Sequence, residues 1–502
     1  MTGARSPGKS RFTTLLKRPL TIGLAVAAVL FAVVNILALS VPPLVAAPAR
    51  SPLLIIDGVA IVDPDSGGRV SQAQTVEVEN DRIAYVGPAR DGTTQVPARR
   101  IDGRGKFLIP GLWDAHVHTL RLAPQLQFPL LIANGVTSVR DMGDTCSWST
   151  DLACSSPNRV WQQAIASGLM VGPRMPQVIT FHLEDVPSDG LALRSLLLAL
   201  RTRGEPFVKL QLDPMVASDV AETVLRVADS LGLRVGGHLP FTLDLATSRV
   251  PFVSVEHDWT LLPQCSRARA SFDDRTDSKP GLLAGWDDAR CDAVLLSLRT
   301  RGTAYVPTHV ASTGQDVAFS VGPPASANTA RYIVAPQRLA WSIVRAAGKV
   351  SESEQRVLRE YHAASLRLTK RAHDAGVIVL AGSDAIDPEV VHGFSLHEEL
   401  QYLVRAGLSP AQALAAATTV PARFTGAAGA GGLIAAGQRA DLVLLDANPL
   451  VDIRNTTRIN GVLADGRWFS AAERAVLLRF VETQAHRSMI ASRFLRGLWY
   501  GE

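Results

Sequence analysis

The chain has 502 residues, 47% of them hydrophobic and 19% charged, with four cysteines and a formal net charge of +5. That length and balance suit a folded protein of more than one domain and exclude a disordered or low-complexity chain. The charge is local: the first 18 residues hold Arg5, Lys9, Arg11, Lys17 and Arg18 and no acid, which leaves 46 cations against 46 acids and excludes a nucleic-acid reading.

Residues 1–18 read as a basic tail, and 20–41 carry no charge at all. About 20 apolar residues span a bilayer as a helix, with flanking cations kept in the cytoplasm. The expectation is a transmembrane anchor or signal segment over 19–47. The small residues around Val45-Ala-Ala-Pro offer a cleavage site, but the apolar run exceeds the usual signal core of about 7 to 15 residues. Either way the rest of the chain is exported, as a membrane-anchored or secreted protein. Short strands separated by Gly, Asp and Asn turns come next, at 53–62, 75–79 and 82–87.

The apolar run 107–110 leads into Gly111-Leu-Trp-Asp-Ala-His116-Val-His118. On a strand, residues i and i+2 point to one side, so both imidazoles can reach one ion. A lone His-x-His recurs by chance, and its value depends on further ligands downstream. Ile179-Thr-Phe-His182 ends a run with another histidine, a candidate substrate contact. Lys209 sits inside the apolar run 206–212, where an unpaired charge is costly unless it snorkels from a strand end. His238 closes 233–238, His257 closes 253–257 and Asp384 closes 377–384. Each lies at the C-terminal end of an apolar, β-rich run. His309 ends 305–309 and either binds substrate or sits in the wall.

Helical stretches at 120–134, 218–230, 287–301, 354–375 and 397–406 alternate with these strands. That alternation implies parallel βαβ units, and residues 110–425 suit a (β/α)8 TIM barrel with its site at the C-terminal strand ends. Gly407 closes one helix, Ser409-Pro410 with Gln412 opens the next, and Ser470 with Glu473 opens a last helix over 470–498. Cys146 and Cys154 flank one loop and Cys265 and Cys291 another. Pairing within each loop suits an oxidising compartment, against four free thiols in a reducing one. The loop 262–290 carries Arg267, Arg269, Arg275 and Lys279, a hint of a carboxylate-bearing substrate, but also five aspartates that cancel the charge.

His116-x-His118, Lys209, His238, His257 and Asp384 resemble the metal-ligand set of the amidohydrolase superfamily. The stretches Ala415-Ala-Ala-Thr-Thr-Val-Pro-Ala-Arg and Gly437-Gln-Arg-Ala-Asp441 resemble its imidazolonepropionase and prolidase-like branch. The resemblance runs over about residues 52–470. It implies a composite β-sandwich from 52–109 and 432–468 beside the barrel. It also implies two divalent ions, zinc by preference, bridged by a carbamylated Lys209, with Asp384 as the proton-transferring catalytic residue. The implied reaction is metal-activated hydrolysis of an amide or peptide-like C–N bond, for instance in an N-acyl amino acid or dipeptide. A lactonase or phosphotriesterase activity is the alternative, and a non-catalytic anchored binding protein a third. Expected partners are a small-molecule substrate and the membrane; a homo-oligomer is compatible with the sequence.

Overall fold

A computed structural model describes residues 28–37, 43–65, 67–90, 97–119, 123–143, 158–175, 179–182, 189–202, 207–211, 216–249, 251–312, 328–385, 387–426 and 431–500. Strands from both chain ends share one sheet. β1 (Leu53–Asp63), β2 (Arg69–Glu79), β3 (Arg82–Gly87), β4 (Ala98–Asp102) and β5 (Phe107–Pro110) come from the first end. β14 (Leu442–Leu445), β15 (Ile459–Ala464) and β16 (Arg467–Ser470) come from the second. The order is β16-β15-β14-β5-β1-β2-β3, with β4 also on β1. β5 and β14 form the seam, antiparallel, with Leu442 opposite Pro110. At the far edge Ile83 donates to the Gln438 carbonyl and Gly437 donates to that of Ile83. The expected sandwich is therefore a single sheet curled over Leu54, Ile56, Val76, Leu108, Leu442 and Leu463.

Eight further strands among the described residues are parallel. β6 (Leu112–Val117) pairs with β7 (Val136–Asp141). β8 (Ile179–His182), β9 (Val208–Gln211), β10 (Val235–His238), β11 (Ser254–Glu256), β12 (Ala304–Val306) and β13 (Ile378–Val379) form a six-stranded sheet in chain order. β6, β7, β11 and β12 are buried throughout, as strands covered on both faces are. Helices Gly190–Thr202, Ser218–Ser230, Asp288–Arg301 and Glu352–Asp374 make four of the crossovers, and pack Leu197, Leu225, Leu298 and Leu368 on the sheet. Among the described residues no helix lies between β10 and β11. Among the described residues the eight strands pair as two sheets rather than one closed ring. Hydrogen bonds still join them on both sides: Ala115 donates to the Ala381 carbonyl beyond β13, and Val139 to that of Arg174 before β8.

A helix covers 28–37, and 43–50 run without helix. There Ala47 donates to the Gly168 carbonyl, Val171 donates to that of Val45, and Arg50 pairs with Asp465. These bonds hold 45–50 against the body. No helix among the described residues is long and apolar enough to cross a membrane; residues 19–27 and 38–42 of the expected span lie outside them. The single helix expected over 470–498 is two, Ala471–Ala485 and Ser488–Tyr500, with the capping box at Ser470 and Glu473 in place. Cys265 and Cys291 form a disulfide, and Cys146 and Cys154 lie outside the described residues.

Candidate metal centre

The ends of β6, β9, β10 and β11 and the chain after β13 converge on one point. His116 Nε2 and His118 Nε2 lie 3.3 Å apart. Lys209 Nζ is 3.4 Å from each. Asp384 Oδ1 is 3.2 Å from His116 Nε2 and 3.1 Å from His118 Nε2, and its Oδ2 is 3.5 Å from His257 Nδ1. His238 Nε2 is 2.8 Å from His257 Nε2. All six residues expected from the sequence are thus brought together. His116, Lys209, His257 and Asp384 are buried, while His118 and His238 are partly exposed, so solvent reaches the cluster on their side.

Backbone strain supports the placement. His257 (φ 69°), Thr308 (φ 48°) and Asp384 (φ 58°) are all non-glycine residues at positive φ. Such conformations cost about 1–3 kcal/mol each and persist where the surroundings impose them. Two glycines allow close approach. A Cβ on Gly237 would lie 2.0 Å from the Leu210 carbonyl oxygen, and one on Gly382 would lie 2.7 Å from His116 Cβ.

Burial, then Lys209, holds His118 down to about 4. Burial does the same to His257, to about 3, and lowers His238 well below its usual value. These imidazoles are neutral at pH 7 and offer lone pairs. For His116 burial is the largest influence and lowers its pKa, but the Asp384 and Glu256 carboxylates outweigh it and the pKa rises. Asp384 is opposed most by burial, yet His116 and His257 hold it well below the usual carboxylate range. Burial lowers the Lys209 amine. Lone pairs and a carboxylate facing one another across about 3 Å fit a cation, and four imidazoles with a carboxylate suit zinc or another first-row divalent ion.

Several supporting residues were not anticipated. Glu256 Oε2 sits 2.9 Å from His116 Nδ1, and Arg140 donates to Glu256 Oε1 at 2.6 Å. Burial is the largest influence on Glu256 and opposes ionisation, but Arg140 and His116 hold it at about 2. Thr308 Oγ1 lies 2.8 Å from His257 Nδ1. Ser383 donates its amide and hydroxyl to Asp114 at 2.8 and 2.5 Å, which anchors the turn carrying Asp384. The available signal was a pair of opposite charges, Arg140 and Glu256, each inside an apolar run.

Other expected residues lie apart. His309 is fully buried, with Nε2 2.8 Å from Thr369 Oγ1, and faces the helix Glu352–Asp374 rather than the six. The backbone of His182 ends β8, but its side chain lies outside what is described. His392 Nε2 bonds the His118 carbonyl oxygen at 3.1 Å, and His397 bridges Thr456 and the Asn134 carbonyl. The basic loop offers no spare cation: Arg267 pairs with Asp287, Arg269 with Asp244, Arg275 with Asp273 and Lys279 with Asp274.

A sequence profile of the amidohydrolase family matches residues 354–469, the part that carries Asp384 and the seam strand β14. Over those residues the chain resembles the amidohydrolase family. A dihydroorotase from Trichlorobacter lovleyi is 35% identical over 100 residues, 18% of this chain and 22% of that one, so the match spans about a fifth of that relative's length. The fold is similar to that of a bottromycin amidohydrolase, with a TM-score of 0.69 and 22% identity over 87% of this chain and 91% of the other. It is also similar to that of a Xaa-Pro dipeptidase with bound methionine, with a TM-score of 0.56 and 18% identity over 84% of this chain and 100% of the other.

Proposed function

We propose that this chain is a member of the amidohydrolase superfamily and a metal-dependent hydrolase of an amide or peptide-like C–N bond. The observation that carries the reading is the Asp384 carboxylate facing the His116, His118 and His257 imidazoles with Lys209 Nζ alongside. His116, His118 and Asp384 would hold one divalent ion, and His238 and His257 a second. When bound, such an ion polarises the substrate carbonyl and lowers the pKa of water toward about 7. A charged lysine would repel two cations, so Lys209 is assigned as a carbamate. Its neutral amine adds to carbon dioxide, forming an N–C bond, releasing one proton and leaving an anionic carboxylate.

Asp384 accepts the proton of the attacking water and delivers it to the departing amine nitrogen. General acid–base help of this kind is worth roughly 10² to 10⁴-fold. His118 and His238, on the solvent side, border the substrate's entry. Dipeptides and N-acyl amino acids are the first substrates to try, since one similar fold belongs to a Xaa-Pro dipeptidase. We read the eight parallel strands as a (β/α)8 barrel beside the curled sheet.

Export is part of the same proposal. The basic tail and uncharged stretch at 20–41 support it, as does the Cys265–Cys291 disulfide, a bond of oxidising compartments. Metal analysis of the purified full chain, together with a panel of dipeptides, N-acyl amino acids, lactones and phosphotriesters, tests the reading. Expected are stoichiometric divalent metal, turnover of amides, and a loss of about 10² to 10⁴-fold in kcat for Asp384→Asn. Turnover of esters or phosphotriesters alone, or full activity in the variant, would overturn it.

A further inference from the structure

Behind the main centre lies a second group of metal-capable side chains. Asp258, His309 and His362 each offer a ligand atom, and these atoms all lie within 4.8 Å of one another. They come from three elements: the turn after β11, the chain after β12, and the helix Glu352–Asp374. Asp258 and His309 are buried, and His362 is partly exposed.

Both ring nitrogens of His309 face hydroxyls of the helix Glu352–Asp374. Thr369 Oγ1 donates to the Ser365 carbonyl at 3.2 Å, so it accepts from His309 Nε2 at 2.8 Å. Ser365 Oγ donates to Asp258 Oδ2 at 2.5 Å, and Ser312 Oγ donates to Asp258 Oδ1 at 2.6 Å. His309 Nδ1 has Ser365 Oγ at 3.4 Å and stands 3.8 Å from Asp258 Oδ2. The latter separation is too long for a hydrogen bond. It is within reach of two ligands that each stand about 2 Å from one ion. A further acid, Glu399, borders His309 from the helix Phe394–Ala406. Glu399 is fully buried, accepts from the Val310 amide through Oε2 at 2.8 Å, and has no hydrogen-bond partner at Oε1. Burial pushes its carboxyl up to about 7, with His309 the strongest opposing influence, so Glu399 lies in the electrostatic field of the same histidine.

We propose that Asp258, His309 and His362 bind a divalent cation of the first transition row, at a site separate from the catalytic one. Two imidazoles and a carboxylate without a thiol select zinc or a neighbour over calcium or magnesium. The ion enters past His362, the partly exposed member. It ties the helix Glu352–Asp374 to the residue next after His257, and so steadies a backbone held at positive φ.

Crystals of the full chain soaked in zinc and measured at the zinc absorption edge test this. Wild type should show an anomalous peak between Asp258, His309 and His362, in addition to any at His116 and His118. His362→Ala should lose the first peak, keep the second, bind one metal equivalent fewer, and lose the part of the zinc-dependent rise in Tm that the first ion provides. His309→Leu should do the same; if it fails to fold, the exposed His362→Ala carries the test alone. A wild-type peak only at the catalytic histidines, or an unchanged first peak in His362→Ala, would refute the second site. Absence of the catalytic peak alone would count against the proposed hydrolase and not against this ion.

Discussion

Glu256 and His116 are in contact through a fully buried pair of atoms, Oε2 and Nδ1, 2.9 Å apart. The carboxylate fixes which imidazole nitrogen carries the proton, and so leaves His116 Nε2 as the ligand atom. Its other oxygen holds the Arg140 guanidinium. One side chain therefore orients a ligand and neutralises a buried cation.

Glu256→Gln separates these roles. The amide can still accept from His116 Nδ1, but Arg140 keeps an unpaired charge in the interior. Breaking a buried pair from one side costs about 3–5 kcal/mol. Loss of an outer partner lowers metal affinity about 10 to 100-fold. Chelator competition and urea titration measure the two. The double variant Arg140→Met with Glu256→Leu should recover much of the stability while affinity stays low. Wild-type affinity in Glu256→Gln would show that the carboxylate does not orient His116.

The six clustered side chains were legible because five sit at the ends of apolar runs and Lys209 is a lone charge inside one, and parallel strands gather such positions together. The supporting pair was not, because Arg140 and Glu256 each read as an odd charge until β7 and β11 come within reach of one another. Side-chain direction failed at His309 for a local reason. The alternation that orients a strand breaks where Thr308 turns to positive φ, and the imidazole leaves the site. β4 was missed because Ala98-Arg-Arg-Ile-Asp102 has no apolar alternation to announce a strand. The docking of 45–50 depends on backbone hydrogen bonds, which carry no side-chain signature.

Gly237→Ala should disrupt the centre from outside it. Its φ is +137°, and the added carbon would meet the Leu210 carbonyl oxygen at 2.0 Å, on the strand that carries Lys209. Either β9 or β10 must shift, and His238 and Lys209 move with them. Gly67→Ala is the control: its φ is +73°, with nothing within 4 Å of the new carbon, so it bears only the strain of about 1 kcal/mol. We expect the first variant to lose metal stoichiometry as well as stability and the second to keep full metal content. Equal metal content in both would show that the close approach of the strands does not matter to the ligands.

The Cys265–Cys291 disulfide closes a loop of sequence separation 26 and ties the segment Leu262–Cys265 to the helix Asp288–Arg301. Chain-entropy reasoning gives about 3 kcal/mol for a loop of that size. Replacing both residues with serine should lower stability by about that amount, read by urea titration with and without reductant. Reductant should destabilise the wild type and leave the double variant unchanged, apart from any contribution of Cys146 and Cys154. A stability equal to wild type would mean the loop is already held by its Arg–Asp pairs.

Acid sensitivity should arise partly from His397, well away from the metal ligands. Burial lowers its pKa from 6.5 to about 4, and both ring nitrogens are engaged, Nδ1 with Thr456 Oγ1 at 2.9 Å and Nε2 with the Asn134 carbonyl at 3.1 Å. Between those pH values the unfolded chain binds a proton that the folded chain refuses, so stability rises with pH across the window. The contribution is fully present above pH 6.5 and is lost as pH falls toward 4. It amounts to about 3 kcal/mol at most, from the value of one pKa unit. His397→Gln retains a donor and an acceptor but cannot take up the proton. Urea titrations across that window should therefore show a slope smaller by up to one proton in the variant, with the difference vanishing above pH 7. Parallel curves for the two proteins would mean that His397 protonates in the folded state as readily as in the unfolded chain.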